Sequence, residues 1–289
     1  MKALIFGAAG QDGHYLDALL RKSGIESVGV SRSGNWLRAD VGKPAEVDEL
    51  VRVQRPDYVF QLAARSTTHH DAGPENHETI ATGSLNVLES VYRHVPQARV
   101  FIAGSGVQFE NHGQPIDENT PFAATSPYAV SRIQSVYAAR YYRARGLRTY
   151  VGYLFHHESP LRKPSHMSMR IALAAQRIKR EGGRLEIGDA SVVKEWTFAG
   201  DVADAMLRLV QQDGLSEVVV GSGEGHSIAD WLERCFGLVG LEWQEHVDLV
   251  PGFPVEYRRL VSQPNRLKSL GWSPAVSFDA LAEMLMQKA

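Results

Sequence analysis

The sequence predicts an α/β protein: a doubly wound parallel sheet carrying a small C-terminal α/β lobe. Three observations predict it. Short apolar runs alternate with amphipathic helical stretches through the first half of the chain. The first run, Lys2–Phe6, opens straight into a glycine-rich turn. After residue 155 the rhythm changes with no linker, repeat or low-complexity tract.

Lys2–Phe6 reads as a strand, and Asp17–Lys22 continues a helix with Leu16, Leu19 and Leu20 on one side. Ser27–Ser31 is a second strand. Pro44 opens a helix at its first turn, where the missing N–H costs nothing, and Val47, Leu50 and Val51 form its inner stripe. Tyr58–Leu62 is a strand, followed by a long helix carrying Leu85, Leu88 and Val91. Arg99–Ala103 is a strand, Ser126–Arg145 a helix and Thr149–Leu154 a further strand. Beyond it, Ser165–Arg180 is a basic amphipathic helix and Gly200–Gln212 another. Glu217–Gly221 is a short strand, Ser227 caps a helix over Ile228–Val239, and Phe278–Met286 is the last helix. Residues 1–155 form the sheet domain, with segments near 185–221 returning to it. Residues 156–289 are mostly the second lobe. Trp231, Trp243 and Trp272 are expected in that lobe's core.

Composition narrows function. The 289 residues carry 31 basic and 33 acidic side chains, a net charge of −2. That balance argues against a polyanion binder, and so against a nucleic-acid partner. No apolar run is long enough for a membrane span, and the N-terminus reads as a strand rather than a signal peptide. A single cysteine, Cys235, excludes an intramolecular disulfide and fits a reducing, cytoplasmic setting. The adjacent pairs His69-His70 and His156-His157 lack ligand spacing with a carboxylate, so no metal site is expected.

The turn Gly7-Ala8-Ala9-Gly10-Gln11-Asp12-Gly13 places glycines at i, i+3 and i+6 between strand and helix. Glycine permits the tight turn and lets backbone N–H groups approach a pyrophosphate at the helix N-terminus. Strand 2 ends in Ser31-Arg32, where a hydroxyl and a cation suit a 2′-phosphate, so NADP(H) is favoured over NAD. A solvated strand-end charge is the other reading of Arg32. Asp40, beside Val41, can accept from an adenine amino group. Leu62, Ala63 and Ala64 close the fourth strand, where small residues let the backbone approach a cofactor. Both segments also fit ordinary strand ends.

GAAGQDG, QLAAR at 61–65 and SPYAVSR at 126–132 together resemble the extended short-chain dehydrogenase/reductase family. GQDGHYL at 10–16, LFHHESPLR at 154–162 and LGWSP at 270–274 resemble its GDP-mannose 4,6-dehydratase branch. The related reductases of GDP-linked 4-keto-6-deoxy sugars share that frame. The resemblance implies a Rossmann-type sheet, a lobe that closes on a nucleotide sugar, and a homodimer through a four-helix interface built from residues 80–95 and 127–145. It assigns Ser105, Tyr128 and position 132 to catalysis, and Leu154 and His157 to the cofactor. His156, Glu158, Arg170, Lys194 and Arg258 fall to the substrate.

Five positions depart from the branch pattern; two of them are His156, where the branch carries Asn, and Lys194, where Arg is usual. Arg132 stands where Lys is usual; it supplies a charge on the helix face four residues after Tyr128 but cannot release a proton. Val107 stands where the dehydratases place a proton-moving Glu, with Phe109 holding the register. Phe253 stands where they carry a phosphate-binding Arg, which Arg258 can replace. Valine cannot serve as acid or base, so the expected activity is NADP(H)-dependent reduction of a nucleotide-linked 4-keto-6-deoxy sugar, with GDP weakly favoured. The alternatives are a nucleotide-sugar 4,6-dehydratase or epimerase, and a catalytically silent NADP-binding sensor or partner protein.

Overall fold

A computed structural model describes residues 1–289. The chain runs β1 (Lys2–Phe6), α1 (Gln11–Lys22), β2 (Glu26–Ser31), β3 (Leu37–Arg38), α2 (Pro44–Gln54) and β4 (Tyr58–Gln61). Next come α3 (Gly73–Asn76), a π-helical turn His77–Thr82 and α4 (Gly83–His94). These lead to β5 (Arg99–Ser105), α5 (Pro127–Ala144) and β6 (Arg148–Leu154). The remainder is β7 (His157–Glu158), α6 (Met167–Glu181), β8 (Leu185–Ile187), β9 (Val193–Lys194), β10 (Thr197–Phe198), α7 (Ala199–Val210) and β11 (Glu217–Val220). It closes with β12 (His226–Ser227), α8 (Ile228–Gly237), α9 (Trp243–His246), β13 (Val247–Leu249), β14 (Arg259–Leu260), α10 (Asn265–Ser269) and α11 (Phe278–Lys288).

Seven strands form one sheet in the order β11-β6-β5-β4-β1-β2-β3, and every pairing in it is parallel. Alternation along β1 shows why helices must cover both faces. Leu4 and Phe6 pack with α2, α4 and α5 side chains such as Val47, Leu88 and Val136. Ala3 and Ile5 pack with Leu16 of α1 and Met206 of α7 on the other face. The strand order reverses between β1 and β4, and the crevice beyond their C-terminal ends is where such sheets bind ligands.

The second lobe has its own core, made by α6, α8 and α11 around stacked Trp196 and Trp231, whose ring centres lie 4.3 Å apart. Three expectations change. Trp272 packs on the α1–α7 face of the large sheet, not in the second lobe, and its indole N–H donates to the Asp201 carbonyl. The segment returning to the sheet is α7 and β11, whereas β8 pairs with β13 in the second lobe. Leu85 points outward and is 48% exposed, because α4 buries Val87, Leu88 and Val91 instead.

Candidate active site

Two connected hollows lie along the C-terminal edge of the sheet. The first is a groove of about 440 Å³ over the glycine turn. Its floor is Gly7, Gly10, Gln11, Asp12 and Gly13, and its far end is Ser31, Arg32, Asp40 and Val41. Leu62, Ala63 and Ala64 form its side. Gly7 has φ +93°, and a Cβ there would meet the Ala63 backbone N at 2.7 Å. A Cβ on Gly13 would sit 2.6 Å from the Ala8 Cα and the Gly7 carbonyl oxygen. These glycines hold strand, turn and helix in contact, which no other residue allows. Helix α1 starts without a side-chain cap, and the N–H groups of Gln11, Asp12 and Gly13 have no backbone acceptor. Free amides at the positive end of a 12-residue helix form an anion cradle that fits a dinucleotide pyrophosphate.

At the far end of the groove, Arg32 and Arg65 share one carboxylate, Glu75, at 3.1 and 2.8 Å. Two cations on one anion leave a net positive charge, and Ser31 lies beside it. Asp40 turns one carboxylate oxygen to the Gly42 N–H at 3.0 Å and keeps the other free to accept.

The second hollow is a cleft of about 600 Å³ between the sheet and the second lobe. It shares Asp12, Leu62, Ser66 and Arg162 with the groove, so a ligand can span both. Ser105 ends β5 on its wall, and its backbone N–H donates to the Gln108 Oε1 at 2.8 Å. Tyr128 enters on the first turn of α5, where Ser126 caps the Ala129 N–H at 3.1 Å and Pro127 occupies the first helical position. One turn on, Arg132 is buried. Its guanidinium carbon lies 5.1 Å from the Tyr128 ring centre, Nη1 donates to the Ala103 carbonyl at 2.5 Å, and Nε has no partner.

Lys194 and Arg162 give the opposite wall its positive charge, and His156 and His166 line it beside them around Glu158. Burial lowers both imidazoles, His156 to about 4. Glu158 is buried and accepts from Arg162 Nε at 3.0 Å and Ser168 Oγ at 2.7 Å, with His156 Nε2 at 2.9 Å. Burial alone would raise its pKa, but Arg162, His156 and Ser168 hold it well below the usual carboxylate range. Burial lowers Lys194 to about 8; Glu158 opposes the shift and Arg162 reinforces it. The Lys194 ammonium stands 5.4 Å over the Trp196 ring.

The structure therefore brings Ser105, Tyr128, Arg132, Leu154, His156, His157 and Lys194 to the cleft. Three expected substrate residues stand elsewhere. Glu158 is consumed by its ion pairs beneath the wall. Arg170 is exposed on α6 and donates to the Glu186 carbonyl. Arg258 is 81% exposed in a neighbouring hollow, 4.0 Å from Asp189. Val107 lines both that hollow and the cleft, so no carboxylate occupies its place. Sequence reasoning missed Glu256, which reaches the cleft from the second lobe. Thr68 Oγ1 donates to it at 3.3 Å, and burial raises its pKa. It also passed over Arg162, although the spacing from Glu158 to Arg162 is that of an i, i+4 pair. No group of three or more His, Cys, Asp or Glu side chains assembles a metal site.

A family model for GDP-mannose 4,6 dehydratase matches residues 4–285. The chain belongs to the GDP-mannose 4,6-dehydratase family. GDP-mannose 4,6 dehydratase 1 of Arabidopsis thaliana is 32% identical, over 99% of this chain and 89% of its own length. The Drosophila melanogaster GDP-mannose 4,6 dehydratase is 26% identical over 99% of the chain and 85% of its own. Among solved structures, dTDP-glucose 4,6-dehydratase from Bacillus anthracis, in complex with NAD, superimposes with a TM-score of 0.88 at 18% identity. That match covers 100% of this chain and 96% of the other. RMD from Pseudomonas aeruginosa, complexed with NADPH, gives 0.86 at 23% over 99% and 98%. Those structures share the fold. Family membership makes this an enzyme of the extended short-chain dehydrogenase/reductase type acting in nucleotide-sugar chemistry. No helix is long and apolar enough to cross a membrane.

Proposed function

We propose that this protein is an NADP(H)-dependent reductase of a nucleotide-linked 4-keto-6-deoxy sugar, with GDP the favoured nucleotide. The carrying observation is Val107 on the wall between Ser105 and the neighbouring hollow. The catalytic segment keeps a hydroxyl and a phenol but has no group to move the protons of an elimination. The groove fits the cofactor, whose bound nicotinamide supplies hydride. Tyr128 donates its proton to the carbonyl oxygen, and Ser105 hydrogen-bonds the same oxygen. Arg132 holds Tyr128 from beneath and keeps a fixed charge near it. Lys194 and Arg162 face the substrate's diphosphate.

A second reading, 4,6-dehydration with cofactor recycled in place, is favoured by Glu256. It is the cleft carboxylate not committed to an ion pair. Incubation with NADPH and GDP-4-keto-6-deoxymannose separates the two. Stoichiometric NADPH oxidation supports the reductase. Conversion of GDP-mannose to the keto product without added NADPH overturns it. We further propose a cytoplasmic homodimer through α4 and α5, whose outer face exposes Leu85, Val130, Tyr137 and Tyr141. Sedimentation of Tyr137→Glu/Tyr141→Glu as a monomer and of wild type as a dimer tests the interface.

A further inference from the structure

Asp12 is an odd residue for its place. It sits in the first turn of α1, on the floor of the groove and at the mouth of the cleft, where a bare carboxylate would repel an incoming pyrophosphate. His157 answers it. Its Nε2 lies 2.8 Å from the Asp12 Oδ1, and its Nδ1 lies 2.7 Å from the Phe155 carbonyl oxygen. While Asp12 is ionised both partners accept, an arrangement that favours hydrogen on both ring nitrogens and so the imidazolium.

We propose that the imidazolium of His157 neutralises Asp12, so that dinucleotide affinity depends on this one proton and falls when it is lost. This rests on the cofactor reading above. The neighbours are consistent with it. From α1, Gln11 Nε2 donates to the His157 carbonyl at 3.4 Å, and Ser159 Oγ donates to Gln11 Oε1 at 2.8 Å. From the following loop, Arg162 Nη2 donates to the same carbonyl at 2.7 Å, while its own charge is matched by Glu158. His157 is therefore the cation hydrogen-bonded to Asp12, and Arg162 acts on that carboxylate through space. Burial alone would lower the His157 pKa, and Arg162 acts in the same direction, but Asp12 carries it above the ordinary imidazole value. For Asp12 the order is similar: burial raises, and His157 and Arg162 outweigh it to lower the carboxyl. The pair also ties the glycine turn to the entrance of the second lobe, through residues 145 apart in sequence.

The test is a charge cycle read by dinucleotide binding. His157→Asn leaves Asp12 bare and raises the NADPH dissociation constant at least tenfold at pH 6.5. Asp12→Asn in that background restores affinity to within about threefold of wild type. A merely structural contact predicts no recovery, and that result overturns the proposal. In the wild type, affinity is full below the His157 pKa and lost as pH rises through it; Asp12→Asn abolishes that dependence. A cofactor-free readout accompanies it. By NMR, the His157 ring titrates above the ordinary imidazole value of about 6.5 and drops in Asp12→Asn. A value at or below the ordinary one overturns the proposal even where binding is affected. Wild-type protein that binds neither NADPH nor NADH, with circular dichroism showing it folded, overturns the cofactor reading and the proposal with it. Normal wild-type binding with no recovery in the double variant overturns only the pair.

Discussion

The Arg132 guanidinium lies under the Tyr128 ring, 5.1 Å from its centre, and is anchored to the Ala103 carbonyl at 2.5 Å. A lysine four residues after the tyrosine would offer a point charge that can also lose its proton. Arginine offers a plane that stays charged and stacks on the ring.

This relationship predicts a split in behaviour. Tyr128→Phe removes the proton donor and lowers kcat by roughly 10²–10⁴-fold with dinucleotide affinity kept. Arg132→Ala loses both the stacked support and the charge and lowers kcat at least tenfold. Arg132→Lys retains activity and changes the alkaline side of the kcat profile, because lysine can titrate where arginine cannot. A profile left unchanged by the substitution, or an inactive Arg132→Lys beside an active wild type, contradicts the assigned role.

On the proposed NADP(H) reading, cofactor choice turns on Arg32. With Arg65 it shares Glu75, so one cation in the group is uncompensated. A hydrogen bond from a charged donor contributes about 1.5–3 kcal/mol, and each ~1.4 kcal/mol is tenfold in affinity. Arg32→Ala should therefore raise the dissociation constant of NADPH at least tenfold and leave NADH within threefold. Fluorescence titration with both cofactors measures it, and equal losses would remove the case for a 2′-phosphate site.

The first half of the fold was legible because its signals are local. Lys2–Phe6 and the glycine turn are contiguous, and Pro127 with Ser126 marks the start of α5 in sequence. The groove over the glycine turn is legible for the same reason, since a strand, a tight turn and a helix N-terminus are neighbours along the chain. The cleft is less legible because it is assembled across the fold. Glu256 meets Thr68 across 188 residues, a pairing with no periodic signature. The resemblance assigns Arg170 to the substrate, but a matching position on a helix does not tell what the side chain meets, and here it donates to the Glu186 carbonyl. Trp272 differs from expectation because burial is readable in a tryptophan and its partner is not. Leu85 shows the converse, an apolar residue that the fold leaves 48% exposed.

If Lys194 faces the substrate's diphosphate as proposed, substrate affinity is sensitive to alkali. Burial lowers the Lys194 pKa to about 8, with Glu158 opposing and Arg162 adding to the shift, so the free protein holds a charged amine below that pH and a neutral one above it. Affinity for GDP is full below about pH 8 and falls as pH rises, by at most about tenfold per pH unit for one proton. Lys194→Arg keeps the charge and flattens the curve, while Lys194→Met weakens binding at neutral pH. Calorimetry between pH 6.5 and 9.5 decides it; a flat wild-type curve would exclude Lys194 from the anion's contacts.

The edge strand supplies a prediction independent of catalysis. Glu217 of β11 accepts from Arg140 Nε at 2.9 Å and Nη2 at 2.7 Å, from Arg143 Nη1 at 2.8 Å and from the Tyr153 hydroxyl at 2.7 Å. Burial would raise its pKa, but Arg140, Tyr153 and Arg143 reverse that and hold it at about 2. Its side chain is 12% exposed, so solvent screens the pair with Arg143 only weakly, while Arg140 at 39% is screened more. Glu217→Gln leaves two guanidinium groups without their anion and should cost about 2–4 kcal/mol at neutral pH, a drop of roughly 2–4 °C in Tm for each kcal/mol in a chain of this size. The folded-state pKa is depressed, so the stabilisation is present above the unfolded carboxyl value of about 4.3. It is lost as pH falls toward about 2. Urea unfolding of wild type and Glu217→Gln should thus show a gap that is constant from pH 7 to 5 and closes below pH 4. A gap that does not close as the carboxyl protonates would show that Glu217 stabilises β11 by packing rather than by charge.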